Sequence, residues 1–203
     1  MMELTTKEKL IKHYQKDALV YDFNRRFFLF GRKTLISLIG KIMDPAPATI
    51  LEIGCGTGEN LLRLSKLFPQ AKLTGIDLST DMLDVARNKL GDNITLINEM
   101  FDHNLVVAKF DLIICSYLTS TVPELSKLLT QAAATLNDNG HFACVDFHRS
   151  NNEAFKRWIS HSIPIRTHFP VAALNPFFEE KVLRSKSAYL GIWRYFMYIG
   201  QKR

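Results

Sequence analysis

Apolar and polar positions along the 203-residue chain change period repeatedly. Short runs rich in β-branched and aromatic residues recur as "TILEI" ending at Ile53, "KLTGID", "ITLIN", "FDLIICS" and "HFACVDF". Each reads as a strand buried on both faces. Between them lie segments with helical spacing. "NLLRLSKLF" places Leu61, Leu64 and Phe68 on one face, "STDMLDVARNKLG" is capped by Ser79 and stopped at Gly91, and "PELSKLLTQAAATL" is ended by "NDNG". Strands alternating with helices predict an α/β fold whose parallel sheet is covered on both sides.

The flanks add elements of a different kind. Thr5 to Glu8 has the T-x-x-E form of a capping box ahead of Leu10, Tyr14 and Ala18, which predicts a first helix. Phe23, Phe27, Phe30, Thr34, Leu38 and Ile42 form the stripe of a second. After the last inner strand, "FKRWISHSI" reads as a helix and a proline-punctuated loop runs through Pro176. "VLRSKSAYLGIWRYFMYIG" then predicts an antiparallel hairpin turning near Gly191. No repeat or linker divides the chain, so one domain is expected over residues 1–203, with residues 1–44 as a helical lid.

Composition narrows the classes. An apolar content of 47% is enough for one good core. The apolar runs are broken by charge well short of the roughly 18 residues that a membrane-spanning helix needs. The opening "MMELTTKEKLIKH" has no signal-peptide block, so a cytoplasmic location is expected. Cys55, Cys115 and Cys144 show no CxxC or histidine-rich spacing, which argues against a disulfide framework and a metal site alike. The net charge of +6 favours an anionic partner, nucleic acid or an acidic membrane face, or serves solubility alone.

The stretch "ILEIGCGTGEN" carries the chemistry. Three glycines at alternate positions, between a strand and a helix, let a ligand approach the backbone closely beside unpaired helix N–H groups. A dinucleotide fingerprint would need glycine at position 59, where the chain has Glu59. A carboxylate there repels a pyrophosphate, so the expected ligand lacks phosphates and a nicotinamide oxidoreductase is disfavoured. Asp77 ends the second strand, where its carboxylate suits the two hydroxyls of a ribose. Arg32 suits a ligand carboxylate.

The glycine turn, the acidic strand end and "FDLIICS" together resemble the class I S-adenosylmethionine-dependent methyltransferases over roughly Thr49 to Phe147. The resemblance implies a Rossmann-like, seven-stranded, mostly parallel sheet. It also implies that Gly54, Cys55 and Gly56 border the methionyl part of S-adenosyl-L-methionine, that Gly58 belongs to the same cofactor-binding turn, and that Glu52 helps to fix the ammonium. Asp77 would hold the ribose, with Leu78 and Met82 beside the adenine. After the third strand the family usually has an acidic residue; here Met100 stands in that place, between Glu99 and Phe101, with Asp102 next. Ser116 and Tyr117, following the fourth strand, would face the transfer site.

The acceptor is read from what surrounds this core. "SYLT" replaces the N/D-P-P-Y motif of nucleobase amino methylation, and no Pro-Cys pair exists, so nucleic acid is disfavoured. "HYQKDALVYDFNRRFFLFGR", "DFHRSNNEAFKRW" and "GIWRYFMYIGQKR" resemble the methyltransferases that trimethylate diacylglyceryl-homoserine. That resemblance implies an amine acceptor on a lipid headgroup or small molecule. Tyr14, Tyr21 and Tyr117 would then surround a methylated cation, with Tyr14 also near the cofactor, and His148 would take the amine's proton. "RRFFLFGR" reads either as an interfacial helix in peripheral membrane contact or as phenylalanines packed on the sheet. Methylation of nucleic acid or protein, and a catalytically silent cofactor-binding protein, are the alternatives.

Overall fold

The computed structural model describes residues 29–104, 108–162 and 169–203. The first expected helix, Tyr14, Tyr21, Phe27 and most of the expected lid lie outside the described residues. From residue 32 onward helices and strands alternate: α1 (Arg32–Ile42), β1 (Thr49–Ile53), α2 (Glu59–Leu67), β2 (Lys72–Ile76), α3 (Thr80–Leu90), β3 (Thr95–Ile97), β4 (Phe110–Ser116), α4 (Leu125–Thr135) and β5 (Leu136–Arg149). α5 (Glu153–Ser162), a short 3-10 turn at Val171–Leu174, β6 (Phe178–Ala188) and β7 (Trp193–Lys202) complete the chain.

The seven strands form one sheet in the order β3-β2-β1-β4-β5-β7-β6. β1 to β5 pair in parallel, and β7 enters antiparallel between β5 and β6. The order reverses between β1 and β4. In an open α/β sheet that switch point leaves a crevice at the carboxyl ends of the strands. The expected sheet and terminal hairpin are both present.

Side-chain alternation along each strand feeds two cores. Ile50, Leu112, Ile114, Val145 and Met197 pack against Leu35 and Ile39 of α1 and Leu61 and Leu64 of α2. Leu51, Ile113, Cys115, Cys144, Phe196 and Tyr198 pack against Leu125, Leu129 and Ala132 of α4. Each fully buried leucine or isoleucine contributes about 1.5–3 kcal/mol. All three cysteines are buried free thiols. Among the described residues no helix is long and apolar enough to cross a membrane.

Two boundaries differ from the sequence reading. The stripe expected from Phe23 to Ile42 is interrupted at Gly31, which has φ 84 and forms the N-cap of α1. A Cβ at Gly31 would lie 2.6 Å from Cε2 of Tyr195, so only glycine fits between this turn and β7. Phe30 therefore stands outside the helix, with its ring 5.3 Å from Tyr189, 5.9 Å from Trp193 and 6.0 Å from Tyr195. It packs on the hairpin, as the packing alternative expects. The other difference is "NDNG", which lies inside β5 rather than ending a helix. The β4–β5 register slips between Phe110↔Leu136 and Leu112↔His141, with Asn139 at φ 64. Asp111 supports this bulge: its Oδ1 accepts from Nδ2 of Asn137 at 2.7 Å and its Oδ2 from the backbone N of Ala48 at 2.8 Å.

Candidate functional site

A cavity of about 380 Å³ opens at the carboxyl ends of β1, β2 and β4. It is walled by the Gly54–Thr57 turn, Asp77 and Leu78, Met82, the Glu99–Asp102 segment, Ser116 to Leu118, Arg32 with Leu29, and the first turns of α4. Volume and position suit one small ligand.

The glycine turn is shaped by its neighbours. Gly54, Gly56 and Gly58 have φ of 71, 53 and 76. A Cβ at Gly56 would meet nothing within 4 Å and would project into open space. One at Gly58 would lie 2.7 Å from Cδ1 of Leu90 and 3.3 Å from Cβ of Ala86. Gly58 does not line the cavity; it lets α2 pack against α3, which corrects the expectation that it borders the ligand. Asp77 holds the turn: its Oδ2 accepts from the N–H of Gly56 at 2.7 Å and its Oδ1 from that of Ser79 at 2.9 Å. Each carboxylate oxygen carries two lone pairs, the acceptor chemistry that ribose hydroxyls require. Ser79 in turn caps α3, accepting from the N–H of Met82.

Glu52 is the least ordinary group. It is 1% exposed and its Oε1 accepts from Nδ2 of Asn60 at 2.7 Å, but its Oε2 has no hydrogen-bond partner. Burial pushes its pKa up to about 8, against the pull of Asn60 and Arg32, and the charge on Asp77 adds to the rise. Asn60, 4% exposed, also donates to Oγ of Ser116 at 3.0 Å, and its own Oδ1 has no partner. Glu59 behaves oppositely, because the hydrogen bond from Lys89 at 2.8 Å holds its pKa down. An ionised carboxylate at the start of α2 agrees with exclusion of a phosphate.

Past β4, Tyr117 takes the left-handed conformation at φ 56, a strained backbone for a bulky residue and typical of a site that uses it. Its hydroxyl donates to the carbonyl of Phe30 at 2.8 Å, and burial raises its pKa well above the ordinary phenol value. A clamp holds the next residues. Asp146 of β5, 0% exposed, accepts from Oγ1 of Thr119 at 2.6 Å, from Oγ of Ser120 at 2.5 Å and from the backbone N–H groups of Ser120 and Phe147 at 2.9 and 2.7 Å. Burial raises its pKa while these donors oppose the rise.

His148 departs from its expected role. It does not line the cavity. Strand alternation turns it to the face of Phe196, whose ring lies 5.9 Å away, and its Nδ1 is 3.0 Å from Oγ of Ser185 on β6. Arg32, Glu52, Gly54, Cys55, Gly56, Asp77, Leu78, Met82, Glu99, Met100, Phe101, Ser116 and Tyr117 all reach the cavity. Next to Met100 on the cavity wall, the half-exposed Asp102 accepts from Nε2 of Gln131 at 3.1 Å. The sequence reading missed Asn60, Gln131 and the α4 wall. Asn60 could have been found as a polar residue on the buried side of an otherwise leucine-faced helix.

Comparison with known proteins decides the class. Residues 51–142 match the family model of the methyltransferase domain. This stretch is a class I methyltransferase domain. Its cofactor is S-adenosylmethionine, in keeping with the glycine turn and Asp77. The chain is 33% identical over 134 residues to a malonyl-[acyl-carrier protein] O-methyltransferase of Anoxybacillus flavithermus, covering 64% of this chain and 50% of that protein. It is 28% identical to the Priestia megaterium protein of the same name, over 89% of this chain and 70% of the relative. It thus spans half to seven-tenths of the length of these relatives. The magnesium protoporphyrin IX methyltransferase of Synechocystis, solved with bound S-adenosylhomocysteine, shares the fold at TM-score 0.71 and 16% identity, covering 97% of this chain and 99% of that one.

Proposed function

We propose that the methyltransferase domain acts on an acceptor that arrives already deprotonated, the carboxylate of a small acid, free or carried on a thioester. The placement of His148 carries this reading. An amine is mostly protonated near neutral pH and needs a base to release its lone pair, whereas a carboxylate needs only alignment. The imidazole expected to serve as that base is turned toward Ser185, and the phenol of Tyr117 is bonded to Phe30 with its pKa raised. The names of the two relatives, which methylate a malonyl group on an acyl carrier, point the same way. A net charge of +6 suits an acidic carrier.

The residues present fit the cofactor. Open space at Gly56 admits its backbone-side approach, Asp77 has lone pairs for the ribose, Leu78 and Met82 offer an apolar slot for the base, and Arg32 suits the methionyl carboxylate. When bound, S-adenosylmethionine supplies an electrophilic methyl on a sulfonium. The protein's part is to exclude water and hold the acceptor in line, with Tyr117 and Ser116 at the carboxyl end of β4 bounding the transfer side. The lipid-headgroup amine implied by the flanking motifs is the competing acceptor, and peripheral membrane contact belongs to that reading.

The test uses the full chain, methyl-labelled cofactor, malonyl thioesters and diacylglyceryl-homoserine. A methyl ester releases volatile labelled methanol in alkali; an N-methyl product does not. Alkali-labile label on the malonyl thioester, with a rate flat in pH above about 5 because the carboxylate is already ionised, supports the proposal. Alkali-stable label on the amine, with a rate rising with pH, overturns it.

A further inference from the structure

The turn between β6 and β7 departs from ordinary hairpin chemistry. Tyr189, Leu190 and Gly191 are consecutive left-handed residues, with φ of 47, 56 and 95. Such positions favour Asn and Gly, because a bulky side chain is strained there. The chain instead places two large apolar residues on them and leaves both exposed. Tyr189 and Ile192 are each 41% exposed, and Leu190 is 110% exposed, more than in an extended peptide. Leu190 therefore gains no burial from folding. The crest is braced from beneath: the Phe30 ring lies 5.3 Å from that of Tyr189, and Oγ of Ser150 donates to the carbonyl of Ile192 at 2.5 Å.

The shoulders of the crest are cationic. From Lys181 to Arg203 the chain has six lysines and arginines and no aspartate or glutamate. Arg184 and Lys186 are exposed on β6, and Arg194 of β7 stands opposite the exposed Arg149 of β5. Like charges directly opposite repel. Among the described residues the ion pairs in this stretch take Lys181 and Lys202 and none of these four cations. Arg194 bonds instead to the hydroxyls of Ser185 and Ser187 at 3.1 and 3.2 Å. Because β7 runs antiparallel to β5, the crest lies at the same edge of the sheet as the cavity. Phe30 joins the two, since its carbonyl accepts from the hydroxyl of the cavity residue Tyr117.

We propose that this crest docks the protein on an anionic lipid bilayer, with Leu190 and Ile192 at the acyl boundary, Tyr189 at headgroup level and the flanking cations against lipid phosphates. An apolar tip with an amphipathic ring and basic shoulders matches the layering of a bilayer surface, hydrocarbon beneath anionic headgroups. A protein partner asks for more: a stable interface buries roughly 1,200 Å² or more, which a four-residue crest does not supply. The inference stands on the hairpin and goes beyond the reading of the acceptor, so it holds whichever acceptor the cavity takes. Membrane contact thereby moves from the phenylalanines of the lid segment to the hairpin, with Phe30 supporting the crest instead of entering lipid. Docking at this edge turns the cavity side of the sheet toward the bilayer.

Flotation of the full chain with phosphatidylcholine vesicles, with and without phosphatidylglycerol, tests the proposal. Binding to the anionic vesicles is expected, weakening as salt is raised. Leu190→Asp, at a side chain that supports no packing, should weaken that binding by at least about tenfold, and Lys186→Glu by about fivefold or more. Lys72→Glu makes the same charge change on an exposed residue at the opposite edge of the sheet, and binding should stay within about twofold. The native thiols are buried, so Leu190→Cys takes a thiol-reactive, environment-sensitive fluorophore at the crest alone. Its emission should shift to the blue on anionic vesicles and be quenched by lipids brominated in their acyl chains. No flotation at low salt, equal binding by Leu190→Asp, or a fluorophore unmoved by vesicles overturns the proposal. A raised KM of Leu190→Asp for a malonyl thioester on an acidic carrier protein, with no vesicle binding by the parent chain, overturns it in favour of a protein partner.

Discussion

Glu52 and Asp146 are both carboxylates buried to 1% exposure or less, on β1 and β5, with pKa values raised by desolvation. Their surroundings differ. Asp146 accepts four bonds, from two hydroxyls and two backbone N–H groups, and both its oxygens are used. Glu52 keeps one oxygen unpartnered at the edge of a cavity. A buried charge costs free energy unless donors replace its lost water. The protein supplies the replacement at Asp146 and omits it at Glu52. Burial alone thus separates nothing; the count of satisfied lone pairs distinguishes a carboxylate that fastens a loop from one that keeps an open oxygen beside a cavity.

The sharpest way to break this comparison is to remove Asp146. Asp146→Ala leaves the hydroxyls of Thr119 and Ser120 and two backbone N–H groups without their acceptor. A loss on the order of 3 kcal/mol or more in urea unfolding is expected, because each unsatisfied buried group costs roughly 1–3 kcal/mol. The loop from Tyr117 to Thr121 borders the cavity, so turnover should fall as well. A loss under about 1 kcal/mol would show that the four bonds do not fasten the loop.

Glu52 differs from Asp146 by a distinctive pH signature. Its folded pKa of about 8 exceeds the ordinary 4.5, so the folded ligand-free state binds the extra proton between those values. Stability from this group is fully present below pH 4.5 and is lost as pH rises through 8. Each unit of the shift is worth about 1.4 kcal/mol. Unfolding midpoints of the ligand-free protein should therefore fall from about pH 5 to pH 8, and Glu52→Gln should flatten that slope. An unaltered slope in the variant would assign the proton to another group.

The difference between the two carboxylates also marks what the sequence makes legible. Glu52 belongs to a local pattern, a strand running into a glycine turn, so its neighbourhood follows from adjacent residues. The same holds for Ser79 and Gly91 bounding α3, and for the sheet built from alternating elements. Asp146 sits unmarked in "HFACVDF", and its donors come from residues 119 and 120, more than twenty positions away. Asn60 is adjacent to the turn, yet its bond to Ser116 crosses 56 positions. The motif alone ties Gly58 to the ligand, although its lack of a Cβ serves the contact with Leu90 on α3. The bulge at "NDNG" depends on Asp111 across the sheet. Local periodicity and turn chemistry are written in neighbours, whereas satisfaction of buried polar groups is written in pairs brought together by folding.

His148 supplies the smallest expected effect and sharpens the comparison on the side of Asp146. It stands two residues after Asp146 on β5, so alternation points both to the same face of the sheet, away from Glu52 on β1. Its Nδ1 meets Ser185 at 3.0 Å and its ring meets Phe196 edge-on, contacts that belong to the β5–β7–β6 end of the molecule. His148→Ala should cost about 1 kcal/mol of stability through the lost hydrogen bond and its packing. On an acceptor verified by labelled transfer, kcat should stay within about twofold and the pH–rate profile should keep its shape, since general-base catalysis is typically worth roughly 10²–10⁴-fold and its loss is hard to miss. A fall of about a hundredfold, with the basic limb of the profile displaced, would return the proton-acceptor role to His148 and with it the amine as acceptor. An unchanged profile leaves the imidazole as a strut between β5 and β6, and the chemistry to the cavity that Glu52 borders.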